Sequence, residues 1–296
     1  MQLTLGPVLF HWPAETLADF YARIADEAPV ERVVIGEVVC SKRQPFYEDV
    51  LVTAIERLQR AGKTVVATSL ALPTLARERA AGKALFASGL EVELEDLSTL
   101  AAAADAPFSV GPLINVYNEA TQAYLIGRGA RKICLPPELP FASVEILARQ
   151  AQAAGAGVEV WAYGRAPLAI SARCYHARVH GLSKDSCRFV CATDPDGLLV
   201  KTVDGRDFLA VNGVQTLSNA YVNLIGDVDK LKAAGVTSLR LSPHTGDFIG
   251  LAKLFRAAID GEVSGAEALT RAHALAPQAQ FSHGFLLGTS GAEVLV

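Results

Sequence analysis

The sequence predicts an α/β chain folded as a TIM-like (β/α) barrel. Three observations carry that prediction. Short apolar runs of about six residues alternate with amphipathic stretches of ten to fifteen, the rhythm of βα units. The runs are near-continuous in apolar residues, as parallel strands covered on both faces are. Seven such units fit in about 165 residues, which suits a closed barrel, with an open doubly wound sheet as the runner-up. No G-x-G-x-x-G follows the first run, so the dinucleotide-binding version of an open doubly wound sheet loses support.

Leu3–Phe10 is the first expected strand, and Ala14–Glu27 the first helix, with Leu17, Phe20, Tyr21 and Ile24 at helical spacing behind Pro13. Arg32–Val39 and Tyr47–Ala61 form the second unit, closed by Gly62. Thr64–Leu70 and Leu72–Ala81, ending at Gly82, form the third. Leu90–Leu94 with Leu97–Ala104, Pro107–Asn115 with Glu119–Gly127, and Lys132–Leu135 with Leu139–Ala154 form the next three. The Ala101–Ala104 run reads as a helix former. Val158–Tyr163 is the seventh strand.

After Tyr163 the rhythm breaks. Residues 164–192 read as an irregular, cysteine-rich segment, and residues 198–211 as a β-hairpin turning around Asp204-Gly205. Leu239–Leu241 is a last strand, followed by helices at Phe248–Ile259 and Ala266–Ala276. The final twenty residues, rich in Gly, Ser and His, are expected to form a poorly anchored tail. The expected organisation is a single barrel domain over residues 1–296.

Composition narrows the function. With 51% hydrophobic residues among 296, the chain can bury a large core and is not a disordered chain. It carries 27 Lys+Arg against 31 Asp+Glu, a net charge of -4, which argues against a dedicated nucleic-acid surface. Mean hydropathy is +0.27, yet no window of about 18 residues is free of charge and turn residues, so no membrane span is expected. The first twenty residues lack a basic leader region. These features suggest a cytoplasmic protein.

The five cysteines are the richest signal. Cys174, Cys187 and Cys191 lie in one segment spaced C-x12-C-x3-C. Cys40 ends the second expected strand, and Cys134 sits inside the strand Lys132–Leu135. Barrels place functional groups on the loops after the strands. Cys40 and the segment after the seventh strand would then emerge on one face. Four thiols converging there would form a four-cysteine site for zinc or an iron–sulfur cluster, and the donor set does not separate the two. Buried cysteine as a small hydrophobe is the competing reading, and it suits Cys134 best. Cys187 and Cys191 have polar neighbours, Lys184, Asp185, Ser186 and Arg188, which suit a core poorly. Lys42, Arg43, Arg173 and Arg188 lie beside the cysteines in sequence and would offset the charge of a thiolate site.

Several segments resemble the collagenase-like peptidase family known as U-thirty-two. They are Ala162–Cys174 (AYGRAPLAISARC), Lys184–Cys191 (KDSCRFVC), Leu5–Leu9 (LGPVL), Gly36–Arg43 (GEVVCSKR), Asp196–Leu199 (DGLL), Val211–Thr216 (VNGVQT) and Leu241–Pro243 (LSP). Together they span residues 5 to about 243. The block around Cys40 resembles one branch of that family in particular. The resemblance implies a cytoplasmic protein with a [4Fe–4S] cluster on Cys40, Cys174, Cys187 and Cys191, and no ligand role for Cys134. It implies a heterodimer with a sister protein and a part in oxygen-independent hydroxylation of a ubiquinone precursor, not peptidase activity.

Other residues compete for site roles. Neither H-E-x-x-H nor G-x-S-x-G occurs. His176 and His180, four apart, fit structural or supporting roles, and His244 follows a strand end at the barrel top. Glu37 and Arg43 flank Cys40. Asn115, Tyr117 and Asn118 end the fifth strand, and Gln215 sits in an expected loop after the hairpin. Each of these polar groups can line a pocket or serve as a cap or turn partner. Arg173, next to Cys174, is the favoured contact for a substrate carboxylate. A zinc-stabilised scaffold and a peptidase remain the alternative readings.

Overall fold

A computed structural model describes residues 1–103 and 106–293. The chain runs β1 (Gln2–Leu5), α1 (Ala14–Glu27), β2 (Arg32–Ile35), α2 (Glu48–Arg60), β3 (Thr64–Thr68), α3 (Ala76–Ala84), β4 (Glu91–Leu94) and β5 (Phe108–Val110). It continues with α4 (Glu119–Gly127), β6 (Ala130–Leu135), α5 (Phe141–Ala153), β7 (Gly157–Ile170) and α6 (Tyr175–Val179). Then come β8 (Leu198–Lys201), β9 (Asp207–Asn212), β10 (Gln215–Asn223), α7 (Val228–Ala233), β11 (Ser238–Leu241), α8 (Phe248–Ile259), α9 (Gly265–Leu275) and β12 (Phe281–Ser282).

Strands β1 to β7 pair in order, all parallel. β11 pairs parallel with both β7 and β1 and closes the ring. The result is a closed barrel of eight parallel strands, the expected TIM-like (β/α) barrel. Amphipathic spacing turns each helix onto it: α1 buries Leu17, Tyr21, Ile24 and Ala25, and α8 buries Phe248, Leu251, Ala252, Phe255 and Ile259.

Several boundaries differ from expectation for physical reasons. β1 stops at Leu5, because Pro7 has no N–H to donate to a ladder. β2 stops at Ile35, where Gly36 turns the chain at φ +140°. α3 starts at Ala76 and passes through Gly82, which lies against Thr99. A 3-10 turn at Leu97–Ala102, capped by Asp96, stands where a helix to Ala104 was expected. Ala104 itself lies outside the described residues. The expected strand Pro107–Asn115 shrinks to β5, and Pro112–Ile114 forms a 3-10 turn ending at left-handed Asn115.

The largest correction lies after Tyr163. β7 does not stop there but runs on to Ile170, leaving the barrel to pair antiparallel with β10. β10 pairs with β9, and β9 with β8, so the expected hairpin is present as the outer two strands of a small antiparallel extension, with β8 at its edge. The segment 164–192 is therefore irregular only after Ile170. The tail is anchored: β12 pairs with β10, Phe281 is fully buried, and Leu286 accepts a backbone hydrogen bond from Phe141.

The barrel interior is ionic. Arg240 on β11 reaches Glu93 on β4, the strand four places away in the ring of eight, so the pair crosses the lumen. The same guanidinium donates through Nε to Glu159 Oε1 at 2.6 Å. Arg32 binds Glu91 at 2.5 and 2.6 Å, and Ser238 donates to Glu159 at 3.0 Å. Arg32, Glu91, Glu93, Glu159 and Arg240 all sit in strands read from sequence as near-continuous apolar runs.

Candidate functional site

The loop after β2 brings Cys40 to the C-terminal face of the barrel, and a 3-10 turn follows at Ser41–Phe46. Glu37 fixes that loop. Its buried Oε1 accepts hydrogen bonds from the backbone N–H groups of Val39 (2.7 Å) and Cys40 (2.9 Å). Burial pushes the Glu37 carboxyl up, and the Arg43 guanidinium opposes that shift. Glu37 thus acts on the backbone of Cys40.

The other three cysteines arrive from the segment after β7. Cys174 precedes α6, and its Sγ accepts from the Ala177 N–H at 3.4 Å. Cys187 starts a tight turn in which Arg188 and Phe189 both take positive φ, +50° and +54°. Left-handed backbone in two consecutive non-glycine residues is strained and persists only where the surroundings hold it. The turn feeds the 3-10 helix Val190–Thr193, which carries Cys191.

The two arms meet. Cys40, Cys174, Cys187 and Cys191 together line one pocket of about 340 Å³. Cys134 is elsewhere, buried in β6, where desolvation pushes its thiol far up. Among the described residues no three His, Cys, Asp or Glu side chains gather closely enough to hold a single metal ion.

Three cationic residues, Lys42, Arg43 and Lys184, line the wall of that pocket. Lys42 Nζ donates to the carbonyls of Lys184 (2.8 Å) and Asp185 (3.2 Å) and lies 3.6 Å from Cys187 Sγ. Arg43 is 1% exposed. Its Nη1 donates to Leu9 O at 3.0 Å and its Nη2 to Asn212 Oδ1 at 2.8 Å, while Nε is buried without a hydrogen-bond partner. Cys191 lies beside the same guanidinium. Gly213 closes the wall: its φ is +63°, and a Cβ there would meet Arg43 Nη2 at 2.7 Å. Burial pushes the Cys40 and Cys174 thiols up; Arg43 counteracts this at Cys40, and the Ala177 N–H counteracts it at Cys174.

The remaining candidates divide. Arg173 is exposed and outside the pocket lining, its backbone N–H on Ser171 Oγ at 3.1 Å. Arg43 is the guanidinium at the cysteines, because the 3-10 turn after Cys40 points it inward. His176 is fully buried, 2.9 Å from Asp194 Oδ2, and stacks on His180; it ties α6 to the turn carrying Cys191. His244 is buried near Tyr163 Oη at 3.1 Å and accepts from Gly246 N through Nδ1 at 2.9 Å. Burial lowers the pKa of its ring. Neither histidine lines the cysteine pocket. Asn118 caps α4, the exposed Tyr117 binds Glu138, and Gln215 starts β10 rather than sitting in a loop.

Sequence reasoning missed His11, whose ring packs on Phe46, Tyr47 and the pocket residue Phe189. Burial, with Arg43 nearby, lowers it to about 4. Its position just after the first strand matched that of His244 and was the available signal.

The family model described as peptidase family U32 matches residues 12–295. The chain belongs to peptidase family U32. The U32 segments that carry Cys40 and the three later cysteines both fall within the matched range. Two solved structures align along nearly the whole chain. The tryptophan synthase complex from Pyrococcus furiosus shares 12% identity over 97% of this chain and 98% of that one, at a TM-score of 0.45. Group II chitinase catalytic domain 2 of Ostrinia furnacalis shares 10% over 100% and 99%, at 0.38. No helix among the described residues is long and apolar enough to cross a membrane.

Proposed function

We propose that this U32 protein is an iron–sulfur protein of the UbiV type. In this reading it takes part in oxygen-independent hydroxylation of a ubiquinone precursor as one subunit of a heterodimer with UbiU. The observation that carries the reading is the convergence of Cys40, Cys174, Cys187 and Cys191 on one pocket while Cys134 stays in the core. The donor set fits a [4Fe–4S] cluster: soft thiolates in number, cationic groups to offset their charge, and an orphaned Arg43 Nε on the same wall. When bound, the cluster would supply one-electron chemistry. The chain's own residues position the thiols, through Glu37 at Cys40 and the strained turn at Cys187.

The test is anaerobic co-expression with UbiU, tandem affinity purification, visible absorption spectra and metal analysis. The reading expects co-purification with a charge-transfer band near the visible region and iron with sulfide. Zinc in place of iron would support the scaffold, and cleavage of a peptide library abolished by cysteine removal would support a peptidase.

A further inference from the structure

Cationic side chains line the cysteine pocket beside the four thiols. Lys42 and Arg43 are adjacent in sequence but reach the wall differently. Lys42 comes from the rim, bridging two backbone carbonyls of the Cys187 loop and approaching Cys187 Sγ at 3.6 Å. Arg43 comes from below, held by Leu9 O and Asn212 Oδ1 and lying beside Cys191. Its Nε remains a buried donor without a partner. A buried unsatisfied donor is costly, so a partner absent from the polypeptide is expected there. Sulfur in the pocket would provide it.

We propose that Lys42 and Arg43 are positioning residues that set the reduction potential of the group bound by the four cysteines. The inference rests on the iron–sulfur reading above. Four thiolates around a [4Fe–4S] core leave net negative charge, and one-electron reduction adds to it. Fixed cations and N–H···S hydrogen bonds at short range therefore stabilise the reduced form more than the oxidised form. Low local dielectric at Arg43 strengthens its effect, whereas Lys42, nearer the surface, is partly screened.

The experiment is a dithionite titration, followed by electron paramagnetic resonance, of the full-length protein reconstituted anaerobically with iron and sulfide. Wild type is compared with Lys42→Met, Arg43→Gln and Arg43→Lys. The midpoint potential is expected to move negative in Lys42→Met and further negative in Arg43→Gln, with Arg43→Lys recovering most of the shift. Arg43 also ties two loops together, so Arg43→Gln can fail to fold; Lys42→Met then decides, since its removal leaves the core intact. Wild-type potential in Lys42→Met and Arg43→Gln, at full iron and sulfide content, overturns the inference. A wild-type protein that takes up no iron and sulfide overturns the iron–sulfur reading itself, and the tuning role with it.

Discussion

Arg240 and Glu159 meet inside the barrel with Nε and Oε1 2.6 Å apart, both fully buried. The same arginine also holds Glu93, so one guanidinium neutralises two carboxylates, all three side chains buried. Removing one partner of a buried ionic group is far more costly than the group's net worth, because it strands charge. Arg240→Met strands both Glu93 and Glu159. It is expected to destabilise the fold by about 3–5 kcal/mol, read as a lower midpoint in urea unfolding with an unchanged slope.

The two ends of this network titrate in opposite senses. Burial opposes charge on Glu159, but Arg240 and Lys132 outweigh it and lower the carboxyl to about 2. Its contribution to stability is present above the unfolded-state value and lost as pH falls from about 5 toward 2. Glu95 is the reverse: burial, then the nearby Glu93, push it well up. Its contribution is complete below the unfolded-state value and lost as pH rises. Thermal unfolding across pH should therefore show Glu95→Gln more stable relative to wild type as pH rises. Equal pH profiles for the two proteins would contradict this.

Glu37 links the fold to the site. Glu37→Ala leaves the Val39 and Cys40 N–H groups buried without an acceptor, costing about 2 kcal/mol. Iron content after anaerobic reconstitution should fall with it. Glu37→Gln keeps one carboxamide oxygen at that place and should retain most of the iron.

Cys134 is expected to behave as a core side chain. Cys134→Ala should leave iron and sulfide content unchanged and cost about 1–2 kcal/mol in chemical denaturation. Loss of iron in this variant would give it a role that the geometry does not.

Much of the fold was legible because the helices follow amphipathic spacing. Ala14–Glu27, Glu119–Gly127 and Phe248–Ile259 match the observed α1, α4 and α8 residue for residue. The extension of β7 past Tyr163 was not legible. Glycine and proline weaken a strand, yet Gly164 pairs with Val222 and Pro167 with Leu217, and only the presence of β10 makes a strand there. The ionic lumen was hidden for a related reason. Glu93, Glu159 and Arg240 look like interruptions in apolar strands until closure of the barrel sets them facing each other. At the site, the four cysteines were legible from their placement after strands. Arg43 over Arg173 was not, because Arg173 is the one next to a cysteine in sequence, and only the 3-10 turn after Cys40 brings Arg43, three residues on, to the thiols.

The central claim is that Cys40, Cys174, Cys187 and Cys191 bind one [4Fe–4S] cluster. The most direct measurement is iron and acid-labile sulfide per chain, with visible spectra, for anaerobically prepared wild type and each cysteine-to-alanine variant. The account expects the stoichiometry of a single [4Fe–4S] cluster in wild type and Cys134→Ala, and marked loss in the other four. Stoichiometric zinc without iron in wild type, or a full cluster in Cys40→Ala, would contradict it.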